Sequence, residues 1–131
     1  MARPDLGRVA HMSVARATFF ASRIVELSAK GEGDLPNAIK RVAKEYGFSP
    51  SHVERVRKGR LKTMDVSVFA RWRMAYLNFC QAQVEALQHD LAVERAMGAD
   101  DDSMENFESE ARELAQKVAS AKAQASASRK N

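Results

Sequence analysis

Apolar positions recur at steps of three and four residues along most of the chain, and glycine and proline fall mainly at the junctions between these stretches. Such spacing keeps apolar side chains on one face of an α-helix, so it predicts an all-α fold. The predicted helices cover residues 5–30, 34–46, 49–58, 65–97 and 103–124, with capping by Asp34, Ser49 and Asp65 and with Pro36 and Pro50 in first turns.

The first segment, residues 1–33, is predicted to form an amphipathic helix that packs on the rest of the fold. Pro4 and Asp5 suit a helix start, because proline is tolerated in the first turn and an acid is favoured at the positive end of the helix. Apolar residues follow at helical spacing, and the GEGD run at 31–34 ends the helix.

The most specific spacing in the chain lies in Ile39–Lys58, IKRVAKEYGFSPSHVERVRK. Numbered from Ile39, the fifth residue is the small Ala43, and the ninth is Gly47, which suits a left-handed turn. Val53 and Val56 follow at positions predicted to face back between two helices. These twenty residues resemble the helix-turn-helix family of DNA-binding repressors and activators, which implies a second helix that enters the major groove.

Two residues of this segment depart from the resemblance. Tyr46 and Phe48 occupy the eighth and tenth positions, where the family usually has aliphatic residues. The aromatic side chains predict additional packing against a further helix.

The resemblance also implies a division of DNA contacts. Residues near the start of the second helix are predicted to contact base edges, and later or flanking basic residues are predicted to contact phosphates. A solvated charge is the alternative for each basic residue, and an ion pair with Arg57 or Lys58 is the alternative for Glu54. The predicted base contacts are Ser49, Ser51, His52, Glu54 and Arg55, and the predicted phosphate contacts are Lys40, Arg41, Lys44, Arg57, Lys58, Arg60 and Lys62.

Positive charge is concentrated on residues 34–63, the region predicted to form the helix-turn-helix domain. Residues 34–63 carry eight basic and three acidic side chains, for a net charge of +5, whereas the whole chain has a net charge of +4. A solvated basic loop would have the same composition. Because charge and motif coincide, the pattern favours nucleic-acid binding.

The long helix over 65–97 is predicted to be apolar on two sides. Its aliphatic seam, Leu77 to Leu91, has the spacing of coiled-coil a and d positions and is predicted to continue as an arm. Its aromatic stripe is predicted to close the core of the unit that holds the helix-turn-helix, and the stripe consists of Phe69, Trp72, Tyr76 and Phe79.

The GADDDS run at 98–103 is a predicted break, followed by a second seam from Met104 to Ala121. Two seams joined by a short loop predict a helical hairpin over 64–124, an oligomerisation arm that leaves apolar surface for a second subunit. Packing of the seams within one chain is the alternative. Residues 125–131 lack anchoring apolar side chains and are predicted to be disordered. The residues predicted for oligomerisation are Leu77, Val84, Leu87, Leu91, Phe107, Leu114 and Val118.

Composition excludes several classes of protein. One cysteine, Cys80, excludes an internal disulfide framework and fits a reducing cytoplasm. No apolar run approaches the roughly 20 residues of a membrane span, and the start has no signal-peptide stretch, so a cytoplasmic protein is expected. The three histidines lie in separate segments, and no glycine-rich phosphate loop occurs. We therefore expect no enzymatic activity, no metal and no cofactor.

The resemblance implies a sequence-specific regulator of transcription that binds double-stranded DNA and associates with the nucleoid. Repression by occluding the polymerase is expected rather than activation, the alternative, because repression asks less of the protein. A homodimer that reads an inverted repeat is expected, with half-sites about 34 Å apart. The wider layout also resembles small bacterial and prophage proteins. One alternative is a DNA-packaging protein similar to phage small terminase subunits, whose hairpins build a ring. Another is an antitoxin-type autorepressor whose arm binds a protein partner.

Overall fold

The structure is a computed structural model that describes residues 8–9, 11–98 and 102–129. Most of these residues are helical. The helical content confirms the all-α prediction, apart from one short antiparallel ladder. The described residues form two compact units, one ending at Tyr76 and the other beginning at Leu77. The elements are β1 (Arg8–Val9), α1 (His11–Ser28), α2 (Leu35–Tyr46), α3 (Pro50–Arg57), β2 (Met64–Asp65), α4 (Val66–Ala96) and α5 (Asp102–Arg129).

The short ladder replaces part of the predicted first helix. Arg8 pairs with Asp65 and Val9 with Met64, so α1 begins only at His11. The prediction that residues 8 and 9 are helical was wrong, because their backbone groups bond to a strand far along the chain, which local spacing does not reveal. The predicted start at Pro4 and Asp5 lies outside the described residues.

The core of the first unit lies where α1, α2 and α3 pack on one another. Part of the predicted aromatic stripe closes it from the side of α4: Tyr76 stacks on Phe20 of α1 with ring centroids 4.8 Å apart, and Trp72 is fully buried. Phe79 falls in the second unit. The buried aliphatic side chains of the three helices include Val14, Ile24, Val25, Ile39, Val42, Val53 and Val56.

The turn between α2 and α3 has the predicted bounds. Gly47 has φ +77°, the left-handed conformation that glycine adopts without steric cost, and its N–H donates to Ala43 O. Ser49 is extended, and its hydroxyl accepts the N–H of His52 at 3.2 Å, with Pro50 at the first helical position. These local signals fix both helix ends and the direction of α3.

Asp34 does not cap α2 with its side chain, contrary to the prediction, although it stands at the N-cap position. Its carboxylate instead accepts the N–H of Lys30 at 2.7 Å and a guanidinium N–H of Arg41 at 2.8 Å. These bonds, that from Arg41 foremost, lower the pKa of Asp34 to about 2. The side chain therefore braces the loop that joins α1 to α2.

The second unit contains α4 from Leu77 onward and all of α5, and the two helices run antiparallel. Lys122 donates to the Gln81 side chain at 2.6 Å, and Arg95 pairs with Glu108 at 2.7 Å. Because the residue numbers rise on one helix as they fall on the other, these contacts define an antiparallel hairpin.

The helix α4 begins in the first unit, where Asp65 caps it as predicted. The Asp65 carboxylate accepts the N–H of Ser67 at 2.8 Å.

The seam predicted on α5 divides into two rows that differ in burial. One row repeats every seven residues and is buried, whereas Phe107 and Leu114 are 55 % and 47 % exposed. On α4, Val84 is buried and Leu87 is 47 % exposed, while Leu77 and Leu91 are partly buried. Some of the residues predicted for oligomerisation are therefore packed within the chain, which was the alternative interpretation of the two seams. The buried row on α5 is Met104, Ala111, Val118 and Ala125.

The helix α5 extends beyond its predicted end. It continues to Arg129, whereas residues 125–131 were expected to be disordered. Ala125 is 7 % exposed and continues the buried seven-residue row, so small apolar residues anchor a segment whose composition looks unanchored. Residues 130–131 lie outside the described part of the chain.

Candidate nucleic-acid interface

One face of α3 is buried and the opposite face is polar. Val53 and Val56 are 0 % and 1 % exposed. At about 100° per residue, the opposite face carries Ser51 and Arg55, followed by Lys58 at the C-cap directly after Arg57, and all three side chains are exposed. We call these three residues the outer stripe. A short helix with its inner face fixed in the core thus presents a hydroxyl and two cations to solvent.

The two serines predicted to contact bases differ in the hydrogen bonds that they already make within the protein. The Ser49 hydroxyl caps α3 through the N–H of His52. The Ser51 hydroxyl lies 3.4 Å from that of Ser49, at the exposed start of the helix. Ser51 can therefore reach a ligand without loss of the cap, whereas Ser49 can do so only with its remaining hydrogen-bonding capacity.

Glu54 is engaged on the surface of α3. Its carboxylate lies 2.8 Å from both the Lys58 ammonium and the Arg57 guanidinium, so the ion pairs expected as the alternative are present. The hydrogen bond from Lys58, followed by that from Arg57, lowers the pKa of Glu54. A contact between Glu54 and a cytosine amino group stays a prediction, and it would compete with these two pairs.

Arg57 faces the protein more than the solvent. Its side chain is 19 % exposed, and its Nε is buried without a hydrogen-bond partner among the described residues. Its carbonyl oxygen accepts the Ser22 hydroxyl of α1 at 3.3 Å. These contacts tie the end of α3 to α1, so Arg57 is poorly presented for the predicted phosphate contact.

The remaining predicted phosphate contacts also separate into two groups. Arg41 donates to Ser28 O and to the Asp34 carboxylate, both at 2.8 Å, and therefore links α2 to the end of α1. The other basic side chains are exposed and are therefore available to an anionic partner. They are Lys40, Lys44, Arg60 and Lys62.

His52 is half-buried on one flank of α3. The Trp72 indole N–H donates to His52 Nε2 at 3.0 Å, so in the neutral ring the proton resides on Nδ1. Burial lowers the pKa of His52, and the charges of Arg55 and Arg71 lower it further. The imidazole is therefore a neutral packing partner at physiological pH, with a single N–H left for the predicted DNA contact.

Two residues of α4 near α3 were not singled out as site residues from the sequence. The Trp72 ring stacks on Phe48 with centroids 4.2 Å apart and 9° between planes. The Arg71 guanidinium lies 4.5 Å from the centroid of Phe48 and donates to Gly47 O. The aromatic residue at the tenth motif position correctly predicted packing against a further helix. Nothing in the spacing of α4 indicated that Arg71 would lie beside the turn.

Searches of protein families, curated proteins and solved structures found no match to this chain. In the part of the chain that the structure describes, no three His, Cys, Asp or Glu side chains come together as a metal site would require. Of the helices described, none is both long and apolar enough to cross a membrane.

Proposed function

We propose that the protein is a sequence-specific transcriptional regulator, acting as a repressor, that reads the major groove of double-stranded DNA with α3. The observation that carries this proposal is the outer stripe of Ser51, Arg55 and Lys58 on a short helix. A sharp turn and a cap at Ser49 fix the start of that helix. An exposed helix of this size fits a groove about 12 Å wide.

The chemistry of the stripe suits two kinds of contact. The planar guanidinium of Arg55 can donate two parallel hydrogen bonds to the O6 and N7 acceptors of guanine. The ammonium of Lys58, which pairs with Glu54, is a point charge at the end of α3 and is better suited to a phosphate. Base discrimination would then depend mainly on Arg55, and Lys58 would contribute affinity that is independent of sequence.

A homodimer is part of the proposal. One short helix buries little surface on DNA and binds weakly alone, so two copies would be needed for useful affinity. The exposed side chains of Leu87, Phe107 and Leu114 on the hairpin are an apolar surface that a second copy could cover. Two-fold symmetry would make the target an inverted repeat, with half-sites about 34 Å apart.

The test begins with selection of bound duplexes from a random-sequence library, followed by affinity measurements on single-base variants of the selected site. Arg55→Ala should lose about 1–3 kcal/mol of discrimination at one base pair. Lys58→Ala should weaken binding to all variants alike and reduce the slope of log affinity against log salt by about one. Lys117→Ala, which removes an exposed lysine of α5, is the matched control and should change neither quantity.

Two outcomes would contradict the proposal. If selection enriched no sequence, or if Arg55→Ala and Lys117→Ala acted alike on every variant, α3 would not be a reader of bases. The solution mass, measured by light scattering without DNA, checks the oligomer. A dimer supports the regulator, whereas a ring of about eight or more subunits would favour the DNA-packaging class instead.

A further inference from the structure

Arg71 is an arginine of α4 that lies beside the start of α3. Its guanidinium donates to Gly47 O and covers the Phe48 ring, and with Ser49 and His52 it lines a shallow surface depression. The residue is exposed. A cation from a neighbouring helix is therefore held next to the end of α3 that would enter a groove.

These contacts orient the Arg71 side chain without using all of its hydrogen-bond donors. A guanidinium has five N–H donors in one plane, and the bond to Gly47 uses one of its terminal nitrogens. The guanidinium carbon lies 4.5 Å from the centroid of the Phe48 ring, and the side chain nevertheless remains exposed to solvent. Because the side chain is already ordered, it would lose less conformational entropy on binding an anion than a free surface lysine would.

The position of Arg71 relative to the outer stripe indicates which anion it would meet. At about 100° per residue, His52 and Glu54 lie on opposite flanks of α3, on either side of the outer stripe. Lys58 pairs with Glu54 on one flank, and Arg71 adjoins His52 on the other. A helix about 10–12 Å across that enters a groove about 12 Å wide has a phosphate strand against each flank.

We propose that Arg71 binds a backbone phosphate of double-stranded DNA on the His52 flank of α3. Lys58 would serve the strand on the opposite flank, so α3 would be held from both sides of the groove. This inference rests on the proposed function, and it adds a phosphate-binding residue from outside the helix-turn-helix segment.

The test uses two variants at this position and one matched control. Arg71→Gln removes the charge and leaves a shorter, neutral amide in its place, and Arg71→Lys keeps the charge. Arg73→Gln removes an equal charge from another exposed arginine two residues along α4. Each full-length variant is titrated with a selected duplex and a random-sequence duplex between 50 and 200 mM salt, and its thermal unfolding midpoint is recorded.

One phosphate contact contributes about −0.9 to the slope of log affinity against log salt, which is roughly a threefold to fourfold change in affinity over this interval. Arg71→Gln should reduce the salt-dependent loss by that factor on both duplexes, with an unfolding midpoint close to that of the wild type. Arg71→Lys should keep most of the slope, and Arg73→Gln should keep all of it.

Three results would overturn the inference while leaving the proposed function intact. Arg71→Gln could match the wild type, it could weaken binding with an unchanged slope and a lowered unfolding midpoint, or Arg73→Gln could reproduce its effect. The second result would make Arg71 a structural clamp on the turn, and the third would make its effect one of net charge. A wild-type protein that binds neither duplex would overturn the proposed function together with this inference.

Discussion

The substitution Trp72→Phe should destabilise the first unit, because Trp72 joins α4 to the turn by two separate interactions. Its indole N–H donates to His52 Nε2 at 3.0 Å, and its ring stacks on Phe48 at 4.2 Å. Loss of one such hydrogen bond costs about 1 kcal/mol. Phenylalanine also removes two ring carbons from a fully buried side chain, at about 0.8 kcal/mol each. The expected loss is therefore about 3 kcal/mol.

That loss is large beside the 5–15 kcal/mol of a typical domain, and it should lower the unfolding midpoint by about 10 °C. The measurement is urea and thermal unfolding followed by circular dichroism, because Trp72 is the only tryptophan and the variant lacks its fluorescence. Phe107→Leu, a change at a 55 % exposed aromatic residue, is the control and should stay within about 0.5 kcal/mol. A cost below about 1 kcal/mol for Trp72→Phe would refute the view that this cluster holds α4 to the turn.

Two further predictions concern pH and the hairpin. Burial and two nearby guanidinium groups lower the pKa of His52, so the unfolded chain takes up a proton first as pH falls below about 6.5. The stability from the neutral ring is thus present above that pH and is lost progressively as the pH falls below it. In thermal unfolding, His52→Gln should reduce this loss and His89→Gln should not. In the hairpin, Val118→Ala should cost about 1–2 kcal/mol, whereas Leu114→Ala should cost under about 0.5 kcal/mol but weaken self-association measured by light scattering. Equal costs at the two positions would contradict the division of the seam.

The parts of the fold that were predictable are those governed by neighbouring residues. Gly47 is left-handed, Ser49 caps α3 and Asp65 opens α4, and each effect depends on atoms within a few residues. Burial of Val53 and Val56 follows from helical spacing once the helix ends are known. Local chemistry therefore suffices for the helices of the candidate interface and for the turn between them.

The parts that were not predictable depend on partners distant in sequence. The antiparallel backbone pairing of β1 with β2 joins segments that no spacing rule connects, and so does the hydrogen bond from Trp72 to His52. The burial of Val118 and the exposure of Leu114 were indistinguishable from the sequence, because both residues satisfy the same three- and four-residue steps. Which row faces the neighbouring helix depends on how that helix packs, a tertiary property.

The predicted DNA contacts of α3 differ in which existing ion pairs each side chain would have to break in order to reach DNA. The Arg55 side chain makes no ion pair with another described residue, so it could meet a guanine edge at the cost of its own hydration and rotamer freedom. Glu54 would have to leave both Lys58 and Arg57 to accept from cytosine. Arg57, whose Nε is already buried without a hydrogen-bond partner among the described residues, would then lose its ion pair. Leaving a partly buried charge unpaired costs more free energy than forming an exposed ion pair gains. Arg55 should therefore dominate base discrimination, and Glu54 should act mainly by holding Lys58 in place.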